Sequence, residues 1–176
     1  GLLVFPVNYD RNEIAERVIE EAERNKVPVG LARRGDYFLL DGVTLRILNP
    51  VPGIKGTRND NSLVIKVEYG NFSALLTGDL EEAGERRLMA EETSLKADIL
   101  KLGHHGSKSS SSEDFLRRVA PEHGIISVGK NNYGHPAAEV LSRCTGQGIR
   151  LWRTDQQGAI RIRSNGVAYT IEAYLK

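Results

Sequence analysis

The chain has 176 residues, of which 40% are apolar and 27% charged, and a formal net charge of +1. This is the composition of one ordinary folded domain. So small a net charge excludes strong sequence-independent binding to DNA through overall charge alone. The single cysteine excludes an internal disulfide, and no apolar run approaches the ~18 residues of a membrane-spanning helix. We therefore expect residues 1–176 to form a single domain.

The first third predicts a β-α-β unit and then a hairpin. Strand patterns at residues 2–7 and 27–31 flank a predicted helix with Asp10 as its cap. The helix has one apolar face, which consists of Ile14, Val18, Ile19 and Ala22. Two further strands, 37–40 and 43–47, flank Asp41-Gly42, a preferred two-residue hairpin turn.

The rest of the chain alternates strands with helices. Residues 49–61 form a loop, and residues 63–69 alternate apolar side chains with Lys66 and Glu68, which predicts a half-buried strand. Further strands are expected at 72–76, 97–102, 124–128, 150–153, 159–163 and 167–171, and helices at 81–91, 112–119 and 137–144. This order favours an α/β (α+β) fold in which helices cover the outer faces of sheets.

The chain opens directly on a strand pattern and has no initiator methionine. A natural protein rarely begins inside its core sheet. We interpret the chain as a piece of a longer protein.

Three short motifs follow the carboxyl ends of predicted strands. They are Thr77-Gly78-Asp79, the glycine-flanked pair His104-His105, and Gly134-His135-Pro136. Sites in layered α/β folds collect at such loops. Imidazole and carboxylate ligands together favour Zn, Mn or Fe over Ca.

Each motif also has a purely structural interpretation. Asp79 is typical of a helix-capping turn, the histidine pair of a solvated loop, and Pro136 of a helix start. Three of the four histidines lie in these loops, however, and that coincidence favours a site. Neighbouring side chains on an extended loop point in different directions, so His104 and His105 are expected to do different jobs. The fourth histidine, His123, is interpreted as structural.

The motifs in combination resemble the ComEC-like branch of the metallo-β-lactamase superfamily. The resemblance rests on residues 59–64, 76–80, 100–110, 126–136 and 154–160. It implies an αββα sandwich with two divalent metal ions, Mn or Zn, at one edge.

The resemblance also implies roles for individual residues. Asp79 matches the bridging metal ligand and His105 a late histidine ligand, with His104 beside it as a second candidate ligand. Asp79, His104 and His135 are the predicted catalytic residues. The predicted substrate contacts are Ser107, Lys108, Lys130 and Asn61.

The sequence departs from the family in one respect. The early His-x-His-x-Asp-His cluster is absent, because residues 1–103 contain no histidine. We therefore expect a sandwich that lacks its first strands and this cluster, with metal bound weakly or not at all and little activity. An uncovered sheet face would favour self-association.

The sequence is compatible with three functions. The first is a metal-dependent nuclease that cleaves DNA during bacterial transformation. Its partners would be DNA and a transmembrane competence domain of the same parent, on the extracytoplasmic side of the cell membrane, with the piece itself soluble. The second is a hydrolase of a smaller ester, such as a phosphorylcholine ester or a lactone. The third is a DNA-binding platform without catalysis.

Overall fold

A computed structural model of the chain describes residues 1–54, 56–92 and 94–175. Its strands are β1 (Leu3–Pro6), β2 (Val29–Ala32), β3 (Tyr37–Leu40), β4 (Val43–Asn49), β5 (Val64–Tyr69), β6 (Phe72–Leu76), β7 (Ile99–Lys101), β8 (His123–Ile126), β9 (Arg150–Arg153), β10 (Ile160–Ser164) and β11 (Tyr169–Ala173). Its helices are α1 (Glu13–Arg24), α2 (Glu82–Glu91), α3 (Glu113–Val119), α4 (Ala138–Gly146) and α5 (Thr154–Gln157), with short 3-10 turns at Asn59–Asn61 and Gly103–Gly106.

The predicted β-α-β unit is present, since β1 and β2 pair in parallel. The predicted cap of its helix is wrong. Asn12 caps α1, its Oδ1 accepting the Ala15 N–H at 3.0 Å, while Asp10 forms an ion pair with Arg58. Asp10 lies two residues before the extended cap position, too far back to reach the free amides of the first turn.

The predicted apolar face of α1 is only partly buried. Ala15 and Ala22 face the protein, whereas Ile14 is 74% exposed and Val18 42% exposed. Ile14 and Val18 line a groove of about 740 Å³ beside Leu3 and Val27. Helical periodicity shows which side chains share a face, but it does not show whether another element covers them.

The centre of the fold is a seven-stranded sheet with the order β3-β4-β5-β6-β7-β8-β9. The β3–β4 hairpin turns at Asp41 and Gly42, whose φ angles of 47° and 83° fit a type I′ turn. Strands β3 to β6 pair antiparallel, and β6 to β9 pair in parallel.

The prediction that Lys66 lies on a solvated face of β5 is wrong. Lys66 is 4% exposed, and its ammonium group donates to Ser94 O at 3.2 Å and lies 3.4 Å from Glu68 Oε1. The sheet is covered on both faces here, and the lysine is tolerated because its charge is paired.

Helices cover one face of the central sheet and a hairpin covers the other. Leu75 and Leu100 of the sheet share the main core with Phe115, Leu116 and Val140, which lie on α3 and α4. On the opposite face, Ala74, Ile99 and Ile125 contact inward-facing residues of the β10–β11 hairpin. This layered α/β arrangement confirms the predicted fold class.

A polar network fixes the hairpin to the sheet. His123 in β8 is 6% exposed, and its Nδ1 accepts a hydrogen bond of 3.0 Å from Trp152 Nε1. The Tyr169 hydroxyl on β11 donates to Glu122 Oε2 at 2.9 Å. These contacts agree with a structural role for His123. Burial, and then the bond to Glu122, raise the pKa of Tyr169 to about 12.

No helix in residues 1–54, 56–92 or 94–175 combines the length and apolar character needed to cross a membrane.

Removing the Tyr169 hydroxyl is expected to flatten the alkaline loss of stability. In the unfolded chain a tyrosine ionises near pH ~10, whereas folded Tyr169 keeps its proton up to about pH 12. The unfolded state therefore binds fewer protons in this window, and the free energy of unfolding falls as pH rises. Urea unfolding of Tyr169→Phe between pH 9.5 and 11.5 (roughly the window set by these two values) tests this. Tyr174→Phe, at an 82% exposed ring, is the control; equal slopes for Tyr169→Phe and wild type would contradict the expectation.

Candidate active site

Three loops meet at one edge of the central sheet. They follow β6, β7 and β8, whose parallel register aligns Leu76 with Lys101 and Lys101 with Ile125. Because parallel strands end at the same edge, Asp79, the 104–105 histidines and His135 are brought onto it.

The segment that carries Asp79 is tied to the neighbouring strand β7 and to a distant turn. The Asp79 N–H donates to Ser62 Oγ at 3.0 Å, and the Thr77 hydroxyl donates to Lys101 O at 2.8 Å. Gly78 adopts φ 57°, and a Cβ there would lie 2.9 Å from Ser62 Cβ. Only glycine permits this close approach to Ser62, which explains the glycine between Thr77 and Asp79.

The turn that carries Ser62 is anchored by the buried Asp60. Asp60 is 5% exposed, and its Oδ1 accepts the Gly84 N–H at 3.1 Å. The Asn49 side chain donates to the carbonyls of both Asp60 and Ser62. Sequence reasoning missed these supporting residues, although Asp60 and Ser62 lie in the 59–64 motif.

Asn61, a predicted substrate contact, bridges two loops. Its amide donates to Thr57 O at 3.1 Å, and its Oδ1 accepts from Asn8 Nδ2 at 3.2 Å. The structure thus places Asn61 in the link to the loop after β1.

The two adjacent histidines lie in a left-handed turn. His104 has φ 46° and ψ 46°, and His105 has φ 55° and ψ 25°. Such angles cost roughly 1–3 kcal/mol in a residue with a Cβ and cluster at functional sites. The turn is fixed at Gly103, where a Cβ would lie 2.6 Å from Leu80 O, and at Gly106, where it would lie 2.7 Å from Pro136 Cβ.

His105 and Asp79 point toward each other. Asp79 Oδ1 lies 3.5 Å from His105 Nε2, and His105 Nδ1 lies 2.6 Å from Ser127 O. A carbonyl only accepts hydrogen bonds, so Nδ1 is the donor to Ser127 O, and Nε2 is the ring nitrogen turned toward Asp79. Two ligands of one tetrahedral zinc ion, each at ~2.1 Å, lie ~3.4 Å apart. The pair therefore fits a shared metal ion.

His104 has different neighbours. Its Nδ1 lies 3.3 Å from Glu81 Oε1 without hydrogen-bond geometry, and that oxygen accepts from Ser109 Oγ at 2.8 Å. The Ser107 and Ser109 hydroxyls lie 3.0 Å apart, and Ser107 is 6% exposed. The different surroundings of His104 and His105 agree with different jobs. Glu81 is a neighbour that sequence reasoning missed.

His135 completes the group of imidazoles. Its ring centroid lies 5.5 Å from that of His104. Burial lowers the pKa of His135, and repulsion from His104 and His105 lowers it further. Among the described atoms, Nδ1 of His104 and Nδ1 of His135 are buried and make no hydrogen bond. Buried nitrogens of this kind are available to a ligand.

Three lysines near these strand ends, two of which are the predicted contacts Lys108 and Lys130, lie at different depths. Lys108 and Lys130 are exposed, and Lys130 lines a cleft together with His105. Lys101 is partly buried and donates to Gly78 O and Leu102 O, at 3.0 and 3.2 Å. Burial lowers the pKa of Lys101, and Asp79 opposes that shift.

The structure brings part of a metal site together. Within the three described stretches of chain, no group of three or more His, Cys, Asp or Glu residues is placed to hold a metal ion. Asp79 and His105 form a pair, and His104 lies one residue away with Glu81 as its neighbour. In the described part of the chain, neither Asn61 nor Lys108 forms a hydrogen bond or an ion pair with Asp79 or His105.

Gly106→Ala is expected to destabilise the chain and to separate the His135 loop from the histidine turn. At φ 80° a Cβ would be strained, and it would also meet Pro136 at 2.7 Å. Together these effects cost about 2–4 kcal/mol. Chemical denaturation measures the loss. Gly146→Ala, where a Cβ meets nothing within 4 Å, is the matched control and is expected to change stability little. Equal stability of the two variants would contradict this packing.

Comparison with known proteins agrees with this geometry. The metallo-β-lactamase superfamily matches residues 5–130, well over half of the chain. ComE operon protein 3 of Bacillus subtilis (strain 168) is 38% identical over 98% of this chain. Competence protein ComA of Neisseria gonorrhoeae is 41% identical over 69% of it, and Recombination protein 2 of Haemophilus influenzae is 37% identical over 69%.

The chain spans 22%, 18% and 15% of the lengths of these three relatives. Among solved structures, a diphosphatase of the PhnP family aligns with 86% of this chain and 56% of its own, at 17% identity and a TM-score of 0.40. That likeness is too weak to add to the assignment. The family match and the competence-protein relatives together show that the chain belongs to the metallo-β-lactamase superfamily, in its ComEC-like branch.

Proposed function

We propose that this chain is the hydrolytic part of a nuclease that cleaves the phosphodiester bonds of DNA during DNA uptake. The observation that carries the proposal is the 3.5 Å approach of Asp79 Oδ1 to His105 Nε2, with His105 oriented by Ser127 O. Superfamily membership supports a hydrolase, and the names of the competence relatives support a role in uptake.

Membership in the superfamily implies divalent metal ions. Asp79 and His105 would hold one, and His104 is the proposed next ligand. A divalent ion there would polarise a phosphoryl oxygen as a Lewis acid. We propose Mn or Zn as the metal, with two ions in the complete site. We further propose that the chain alone, with two converging donors among its described residues, binds metal weakly.

The chain's own imidazoles supply the proton chemistry in this proposal. Burial, and then the neighbouring His104 and His105, hold the pKa of His135 below the ordinary histidine value, which favours the neutral ring that can accept or pass a proton. His104 has two neighbours: the His135 ring, at a centroid distance of 5.5 Å, and the Glu81 carboxylate, 3.3 Å from its Nδ1.

Phosphate contacts are proposed for Ser107, Lys108 and Lys130. Lys130 lies on the His105 side, while Ser107 and Lys108 follow the histidine turn. Ammonium and hydroxyl groups donate well to phosphate oxygens. Asn61 is proposed to act on the same substrate path by holding its loop, because Asn8 and Thr57 already occupy its amide.

A hydrolase of a smaller ester is the second candidate. The cleft beside His105 would accept a small substrate, but its Lys130 disfavours a quaternary ammonium such as that of phosphorylcholine. The third candidate, binding without catalysis, differs in having no turnover.

We also propose two partners, DNA and a transmembrane competence part of the same parent, with the site on the extracytoplasmic side. The relatives whose names refer to competence support the second of these. The exposed Ile14 and Val18 beside the groove on α1 are the surface proposed for self-association.

Asp79→Ala in the full-length protein is expected to lower DNA hydrolysis by at least about 100-fold, because it removes a metal ligand. The assay compares single- and double-stranded DNA with Mn²⁺ and with Zn²⁺. Asp114→Ala, which removes an exposed carboxylate on α3, is the control. A nuclease whose rate survives Asp79→Ala would disprove the mechanism, and turnover of a phosphorylcholine ester but not DNA would favour the second candidate.

The 176-residue chain alone is expected to hydrolyse DNA far more slowly than the full-length protein and to bind Mn²⁺ or Zn²⁺ weakly. Calorimetric titration of both proteins measures the affinity. His105→Ala is expected to weaken the residual binding further, since His105 is one of the two converging donors. Equal affinity in the chain and the full-length protein would show that the described residues hold a complete ligand set.

A further inference from the structure

A cleft of about 410 Å³ opens beside His105. Its lining includes His105, Ser127, Lys130, Tyr133, His135 and Thr154. Binding sites for small molecules span roughly 300–1,000 Å³, so the cleft has room for one nucleotide unit. Because His105 forms one wall, an occupant of the cleft lies beside one member of the proposed metal pair.

Tyr133 is an exposed aromatic ring at this cleft. It is 83% exposed, and its ring centroid lies 6.0 Å from that of His135 with the planes inclined by 27°. A ring this exposed contributes little to the folded core. His135 backs it, and the remaining surface is available to a planar ligand.

The loop that presents Tyr133 is held in place by one side chain. Asn131 Oδ1 accepts the N–H groups of Tyr133 and His135, at 3.0 and 3.1 Å. Asn131 Nδ2 donates to Gly129 O and to His135 O, at 2.9 and 2.8 Å. A loop ordered before binding loses less entropy on contact with its ligand.

The charge of the cleft favours an anion. Among the lining residues that the structure describes, Lys130 is the one lysine or arginine. The same lining contains no Asp or Glu. The Tyr133 ring can stack on a nucleobase, and the Lys130 ammonium group can bind the phosphate of the same nucleotide.

We infer that Tyr133, backed by His135, is a stacking platform for one nucleobase of a single-stranded DNA, with the adjoining phosphate near Lys130 and His105. This inference rests on the proposed nuclease function and narrows its substrate. Bases inside a duplex already stack on each other, so the platform selects single strands or frayed ends. Stacking on one aromatic ring tolerates any base sequence.

The test compares a strand that has bases with one that has none. The 176-residue chain is titrated into fluorescein-labelled oligothymidylate and into an abasic strand of equal length, with EDTA present so that no hydrolysis occurs. Fluorescence anisotropy gives both affinities. The wild-type chain is expected to prefer the base-bearing strand by about 10-fold.

Variants assign the preference to the ring. Tyr133→Ala is expected to bring the ratio of the two affinities close to one while leaving binding of the abasic strand unchanged. Tyr133→Phe keeps the ring and the ratio, and Tyr174→Ala, at another exposed tyrosine outside the cleft, is the matched control. Since Tyr133 is 83% exposed, its truncation leaves the core intact.

Three results would overturn the inference. If Tyr133→Ala keeps the wild-type ratio, the platform lies elsewhere. If the wild-type chain binds both strands equally, there is no platform, although the DNA function stands on its phosphate contacts. If it binds neither strand, the inference fails, and the DNA function is then decided by the hydrolysis assay of the full-length protein.

Discussion

The parallel register of β6, β7 and β8 is the constraint on which the site depends. Leu76, Lys101 and Ile125 lie side by side, so the loops that follow begin at one level. Leu75 and Leu100 on the same strands are fully buried. A slip of one residue would turn these apolar side chains out of the core, which makes the register expensive to change. The approach of Asp79 to His105 is therefore a consequence of core packing.

The loops are held by hydrogen bonds that composition does not reveal. A run rich in serine is typical of a flexible segment, yet residues 107–112 are clamped from two helices. The buried Glu85 carboxylate accepts the N–H groups of Ser111 and Ser112, and burial raises its pKa. Arg143 on α4 donates to Ser111 O and Lys108 O. The histidine turn thus sits between two fixed ends, which explains how its left-handed angles are maintained.

Local signals predicted much of the fold. The Asp41-Gly42 turn correctly predicted the hairpin of β3 and β4. Strand β6 runs from Phe72 to Leu76 as its pattern predicts. The motifs around Asp79 and His105 pointed to one edge of the sheet because each follows a strand end. The errors arose where distant elements decide. Lys66 is buried because both sheet faces are covered, and Ile14 is exposed although its spacing fits a buried face. Sequence reasoning likewise missed Ser62 and Glu81, whose partners lie 17 and 28 residues away.

The most direct test of the account is to locate the metal ion by anomalous X-ray scattering from crystals of the full-length protein grown with Zn²⁺ or Mn²⁺. The account predicts a peak bonded to both Asp79 Oδ1 and His105 Nε2, at ~2.0–2.2 Å from each for zinc. Ordered Asp79 and His105 side chains with the metal bound elsewhere would contradict it.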